Sequence, residues 1–488
     1  MAEPAASLWA LADRAAARAA RDRPVRRFRW VPAALPSLLL ICATALGVLL
    51  PDSLTTPARW CLFAFGSAAI LWTLTSLNAA YVALGAVLLL SLTGAIAQEE
   101  LFETLESAVI WLMIGAFVLG EAVQASGLSR RLTRFVCQGG RRIGTVLWLV
   151  TAALIPLTFL IPSTSGRAAV ALPLFRALSQ AAGDARITRA LALLMPSVIL
   201  VSTISSLVGA GSHLIANDLL DEVVDESIGF GQWLLYGLPF GLVASALTCL
   251  VIGRMFLDPA GRSRVLELPR SPRQRLSGSE ARTLAVAGAM VLLWLTPAWH
   301  GLEIATTSVL GAFVLTLPLA GVISWKAGLK AISWNLILFV GAALVLGEAL
   351  IETGAAEWLI GQMFAASGLT IGVSPLLLLG GLVLISLTSH LYLTSHAARA
   401  AALVPPLLYL ATALQANPVA VMFIATVGMN YCLTFPVSSK ALLMFQELDE
   451  ATWAPADLMK LSAVLLPLHA LLMIGFYFGY WQHVGLAL

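Results

Sequence analysis

Ser163-Thr164-Ser165-Gly166-Arg167-Ala168-Ala169, followed by Pro173, returns later in the chain as Ser395-His396-Ala397-Ala398-Arg399-Ala400-Ala401, followed by Pro405. The two copies lie 232 residues apart. A second block behaves alike: Leu119-Gly120-Glu121-Ala122 with Gly127 returns 227 residues on as Leu346-Gly347-Glu348-Ala349 with Gly354. Trp72-Thr73 has a weaker echo in Trp294-Leu295-Thr296. Near-constant separation across independent blocks is the mark of an internal repeat. Each serine block sits at the centre of an apolar stretch, 143–181 and 373–412, too long for one crossing and too polar at its middle to run straight through. Each stretch therefore reads as a re-entrant helical hairpin with the serine block at its tip.

The rest of the chain supplies the setting. Of 488 residues, 59% are hydrophobic and only 11% charged, with mean hydropathy +0.89. A water-soluble surface needs more charge than this, so lipid is the main solvent. Five scattered cysteines without CxxC spacing exclude a disulfide framework or a zinc cluster. Spans are expected near 34–50, 59–76, 79–96, 108–126, 188–216 (interrupted), 230–257, 282–298, 304–324, 334–352, 418–445 (interrupted) and 460–482. The fold class is thus an all-α polytopic membrane protein of two inverted repeats, about eleven transmembrane helices and two hairpins.

Loop charge orients it. The N-terminal arm 1–32, the loop 127–142, the stretch 176–189 and the loop 258–281 are basic, with seven arginines between Arg254 and Arg282. The loops 97–106 and 217–226 are acidic. Basic loops mark the cytoplasmic side. The first repeat then covers 33–257 and its hairpin enters from the cytoplasm; the second covers 282–488 and its hairpin enters from outside. The N-terminus is expected inside and the C-terminus outside, in the inner (plasma) membrane. Only 446–457 disagrees, since it is placed inside yet holds Glu447, Asp449, Glu450 and Asp457. The arm itself, arginine-rich and acid-poor, suits a surface-lying amphipathic helix better than nucleic-acid binding.

A helix leaving a hairpin tip presents unpaired N–H groups and the positive end of its dipole, which favours an anion. Ser163, Thr164, Ser165, Thr394, Ser395 and His396 add donors at that point. Arg167 and Arg399 stand in the first turns of these helices, where a cation opposes the dipole and is costly within lipid. Two readings fit: guanidinium recognition of carboxylate or sulfate-like oxygens, or ion pairing with Glu121 and Glu348. Those glutamates are otherwise candidate proton carriers. Ser205-Ser206-Leu207-Val208-Gly209-Ala210-Gly211-Ser212-His213 and Pro436-Val437-Ser438-Ser439-Lys440 interrupt two further spans, and such breaks commonly hold a coupling cation. His213, Lys440, Ser212 and Ser439 are the candidates there, His213 and Lys440 again 227 apart.

At these residues the sequence resembles the divalent anion–sodium symporter family of dicarboxylate, citrate and sulfate carriers, over nearly the whole chain from about residue 60. The resemblance lies in the two tips with their following small residues and Pro173 or Pro405, in the stretch Trp325-Lys326-Ala327 to Trp334-Asn335 with Gly341, and in the two breaks. It implies a homodimer, a scaffold and a transport domain moving as an elevator, and an anion held between the tips. The tips of that family read Ser-Asn-Thr; here Thr164 and His396 replace both asparagines and Ala397 replaces a threonine. In that family the tips and breaks form sodium sites, and His213 and Lys440 fall where its breaks carry asparagine.

Loss of those amides and gain of positive charge argue for exchange or proton coupling without sodium; no other cofactor is expected. The expected function is secondary transport of a small di- or tricarboxylate or sulfate-like anion. A sodium-coupled symporter and a cation–proton antiporter or arsenite permease of similar fold are the alternatives. An enzyme is not expected, because no HExxH, nucleophile elbow or P-loop occurs.

Overall fold

A computed structural model describes residues 31–137, 139–267, 275–367, 374–448 and 452–488. Residues 1–30 of the expected arm 1–32, the middle of the basic loop, and Asp449 and Glu450 lie outside the described residues. Among the described residues, six helices are long and apolar enough to cross a membrane: 108–126, 143–160, 185–205, 230–256, 334–352 and 455–483. Shorter apolar helices at 35–48, 79–93, 304–315, 375–391 and 418–429 accompany them. The chain is a polytopic all-α membrane protein. Its β structure among the described residues is one two-residue antiparallel pair, Arg141–Arg142 with Val265–Leu266.

The helix order repeats. Ala108–Ser126 and Trp334–Glu352 are each followed by a shorter helix, Leu128–Val136 and Ala355–Ser367. Then come the hairpins, and after each hairpin a broken span and a long helix, Phe230–Phe256 or Pro455–Gly479. Gly127 and Gly354, the paired glycines of the repeat, both adopt positive φ at the turn between span and short helix.

The first hairpin descends as Ile143–Leu154 and a single turn Leu157–Leu160, then returns as Thr164–Ala182. Ile161 is extended because Pro162 follows it and disfavours the helical conformation. The second hairpin has no proline at its tip. Pro375–Thr388 ends in a 3-10 turn, Ser389–Leu391, where the Ser389 hydroxyl donates to Ser386 O (2.6 Å) and His390 Nδ1 meets Leu387 O (2.7 Å). Side chains there occupy carbonyls that a continuing helix would have used. The return helix is His396–Ala413.

Both spans expected to be interrupted are broken. Ala185–Val201 gives way to 3-10 turns Thr203–Ser205 and Leu207–Gly209 before Gly211–Val224 resumes. Pro418–Met429 ends at Asn430, and Lys440–Gln446 resumes after a 3-10 turn Pro436–Ser438. One expected span is shorter than read. The run 304–324 is helical only over Ile304–Leu315, because Pro318 disfavours helix at Leu317 and the chain folds back so that Val322 N donates to Leu315 O (2.7 Å).

The repeats interlock at the breaks. Gly211–Val224 packs on the second hairpin's His396–Ala413, while Lys440–Gln446 packs on the first hairpin's Thr164–Ala182. Each tip helix thus leans on the half-helix of the other repeat. Phe230–Phe256 braces the first break: Trp233 Nε1 donates to Ile204 O (3.0 Å), and a Cβ on Gly237 would overlap that same carbonyl.

Candidate functional site

The two tips are built alike. Ser163 Oγ accepts from Gly166 N (3.2 Å) and Ser395 Oγ accepts from Ala398 N (3.3 Å), each serine capping its return helix. Ser163 Oγ also meets Ser165 Oγ at 3.0 Å. Ser163, Thr164, Ser165, Ser395 and His396 are half-buried and Thr394 is exposed, so each tip is partly accessible. His396 Nε2 lies 3.3 Å from Cys432 Sγ, and its Nδ1 has no hydrogen-bond partner among the described residues.

Arg167 and Arg399 are fully buried. Neither pairs with a glutamate: the ion pairs among the described residues are Arg131–Glu280, Arg186–Asp258, Arg189–Asp457 and Arg264–Asp184. Arg167 Nη2 instead donates to Gly209 O (2.8 Å) and Thr203 Oγ1 (3.1 Å), both in the first break. Arg399 Nη1 donates to Met429 O, the carbonyl end of the helix that the second break terminates. So each arginine crosses from its own tip to the break of its own repeat. A cation there is favoured by the negative end of the helix dipole and by carbonyls released from the helical ladder. Charge-assisted bonds offset part of the burial cost, which for an ion removed from water is several kcal/mol.

The breaks meet through His213. Its Nδ1 lies 3.0 Å from Ser206 O and its Nε2 lies 2.7 Å from Asn430 Nδ2. A carbonyl can only accept, so Nδ1 carries the proton, and Nε2 takes the Asn430 amide hydrogen. The ring therefore serves as a neutral link between the repeats, and it lies tilted against Trp233 with centroids 5.0 Å apart. Ser205, Ser206, Ser212 and Ser438 surround the breaks with buried hydroxyls that have no hydrogen-bond partner among the described residues. Ser439 caps the second half-helix, accepting from Ala441 N at 3.2 Å.

Lys440 is exposed and opens the half-helix Lys440–Gln446, so in the order of elements it stands where Gly211 stands. His213 lies two positions further into its own half-helix. The equal sequence separation of the pair therefore does not make them structural equivalents. Glu121 and Glu348 are half-buried in Ala108–Ser126 and Trp334–Glu352. Glu348 belongs with the acidic end of the molecule, interacting with Glu352, Glu100 and Glu103.

Several site residues escaped the sequence reading. Asn430, Cys432, Thr203 and Met429 each touch a candidate residue, yet none has a symmetric counterpart of its own type to draw attention. His390, which nothing in the sequence singles out, is held by Thr434 Oγ1 (2.7 Å), which also meets Ser462 Oγ (2.7 Å). It stands five residues before Ser395, where a broken helix needs side chains to satisfy carbonyls.

The model of the sodium:sulfate symporter transmembrane region matches residues 32–487. The chain belongs to this family. It is therefore a multi-pass membrane protein of a transporter family and not an enzyme. A membrane protein of Cupriavidus necator is 27% identical over 67% of the chain, which spans 64% of that protein's own length. The citrate/succinate antiporter of Escherichia coli K12 is 24% identical over 67% of the chain and 70% of its own length. Among solved structures, the Alcanivorax borkumensis YdaH transporter shares the fold with a TM-score of 0.59 at 16% identity, covering 87% of this chain and 99% of that one.

Proposed function

We propose that the protein is a secondary active carrier of a small anion, a di- or tricarboxylate or a sulfate-like ion, working by sodium-independent exchange. The carrying observation is the pair of buried guanidinium groups on the break carbonyls, Arg167 on Gly209 O and Arg399 at Met429 O. In inverted-repeat transporters such released carbonyls are where a coupling cation binds. Here each is met by a cation that cannot leave, so the positive charge that stabilises the anion travels with the protein. The tip hydroxyls and helix amides beside them are the proposed anion contacts. Alternating access by an elevator movement fits the helices Leu128–Val136 and Ala355–Ser367, which join span to hairpin at equivalent points of the two repeats. A homodimer in the plasma membrane, with the basic loops inside, completes the proposal.

Kinship to an antiporter supports exchange, while the family's description favours the second reading, sodium-coupled symport. Counterflow in liposomes separates them. Vesicles loaded with unlabelled succinate, citrate or sulfate should take up the labelled anion equally in sodium and in choline buffers. Uptake that needs no internal anion but rises with external sodium supports symport instead.

A further inference from the structure

The connector helix Leu128–Val136 turns Leu128, Leu132 and Phe135 to one side and Arg131 and Arg134 towards its edges. Between its apolar side and the first hairpin lies a crevice of about 960 Å³. Leu149, Ala153, Pro156, Leu157 and Leu160 form its hairpin wall, and Arg131, Arg134 and Arg141 line it too. Among the described residues, no carboxylate lines this crevice. Arg131 is engaged by Glu280 at 2.8 Å, whereas Arg141 has no ion pair among the described residues. Beside the crevice is a smaller, polar hollow of about 560 Å³ lined by Arg130, Thr133, Arg134, Arg275, Ser277 and Glu280. Arg134 lines both. Phe135 and Leu284, at the mouth of the apolar part, are exposed apolar side chains.

We infer that this double hollow is a binding site for an anionic phospholipid of the leaflet that faces the basic loops. An apolar space with exposed apolar side chains beside it takes an acyl chain, and a polar arginine-lined space that shares Arg134 with it takes a phosphate headgroup. Basic pockets between membrane helices on this side are suited to such headgroups. Charge also selects the occupant. Five arginines, Arg130, Arg131, Arg134, Arg141 and Arg275, line the two hollows against the one carboxylate of Glu280, which favours an anionic occupant over a neutral one. The site has consequence for the hairpin, because Leu160 lies three residues before Ser163 and Val170, also in the wall, lies on the return helix. A bound lipid wedges between connector and hairpin and holds their spacing.

The test uses the full chain, purified in non-ionic detergent and stripped of lipid, then titrated with palmitoyl-oleoyl phosphatidylglycerol or the phosphatidylcholine of the same chains under native mass spectrometry. Wild type is expected to prefer the anionic lipid by about tenfold or more, as roughly 1 kcal/mol per surface arginine implies. The double variant Arg134→Gln with Arg141→Gln is expected to lose that preference, and Ala153→Trp, which fills the apolar part, to lose binding of both lipids. Equal binding of the two lipids to wild type overturns the inference. So does unchanged phosphatidylglycerol binding in either variant; should one fail to fold, the other decides.

Discussion

A buried arginine in the first turn of a helix is unfavourable twice over, through its own dipole and through desolvation, and this chain accepts that cost at Arg167 and again at Arg399. Their partners explain why: each guanidinium answers carbonyls that the broken span of its own repeat has released. Arg167→Ala therefore leaves Gly209 O and Thr203 without a donor. We predict at least a tenfold loss of exchange in liposomes, with the protein still eluting as a single oligomeric species on size exclusion; full exchange in this variant contradicts the role. His213 makes a different prediction. His213→Ala removes both the bond to Ser206 O and the link to Asn430, stranding buried polar groups at a cost of about 1–3 kcal/mol each. A clear fall in unfolding temperature is expected, and an unchanged one would show that the link carries no stability. The arginines and His213 were legible in the sequence because they break expectations for an apolar span. Asn430 and Cys432 were not, since a single amide or thiol near a predicted break has nothing to distinguish it before the chain folds.

At the scale of elements, the hairpins and breaks were readable because polar residues at the centre of apolar stretches leave the chain no cheaper solution than to turn. The tip helices start at Thr164 and His396, where the serine blocks placed them. What the pattern could not supply was register within the breaks. His213 and Lys440 share a sequence separation with the glutamate pair, but the turns of the two breaks differ in length and shift the half-helices relative to that count. The shortened helix Ile304–Leu315 is a similar miss, for hydropathy runs on past the point where Pro318 stops the ladder. The brace behind the first break gives a sharp test. A methyl at Gly237 would overlap the Ile204 carbonyl, which Trp233 also holds. Gly237→Ala is expected to destabilise by about 1–3 kcal/mol, the usual cost of overpacking, and to reduce monodisperse yield; wild-type thermal stability in this variant would show that the contact relaxes freely.

For the whole molecule, charge placement and the interlocked repeats carry the argument. On the face with the basic loops, Glu280 in the first turn of its helix is held by Arg131 and by the Ser277 amide, which lower its carboxyl to about 2. A depressed carboxylate contributes stability above its unfolded value of about 4.5 and loses it as pH falls towards about 2. Between those values wild type should lose stability with falling pH more steeply than Glu280→Gln, as measured by thermal unfolding in detergent. Equal slopes would mean the pair adds nothing to the fold. At the core each repeat meets its own break with a tethered cation, and the proposed consequence is anion exchange without sodium. Its most direct test is counterflow of labelled succinate, citrate and sulfate into preloaded liposomes, comparing wild type with Arg399→Ala in sodium and in choline buffers. The account predicts equal wild-type exchange of at least one of these anions in both buffers, and a variant that is inactive in choline and partly recovered by sodium. Wild-type exchange that collapses when sodium is withdrawn would contradict it.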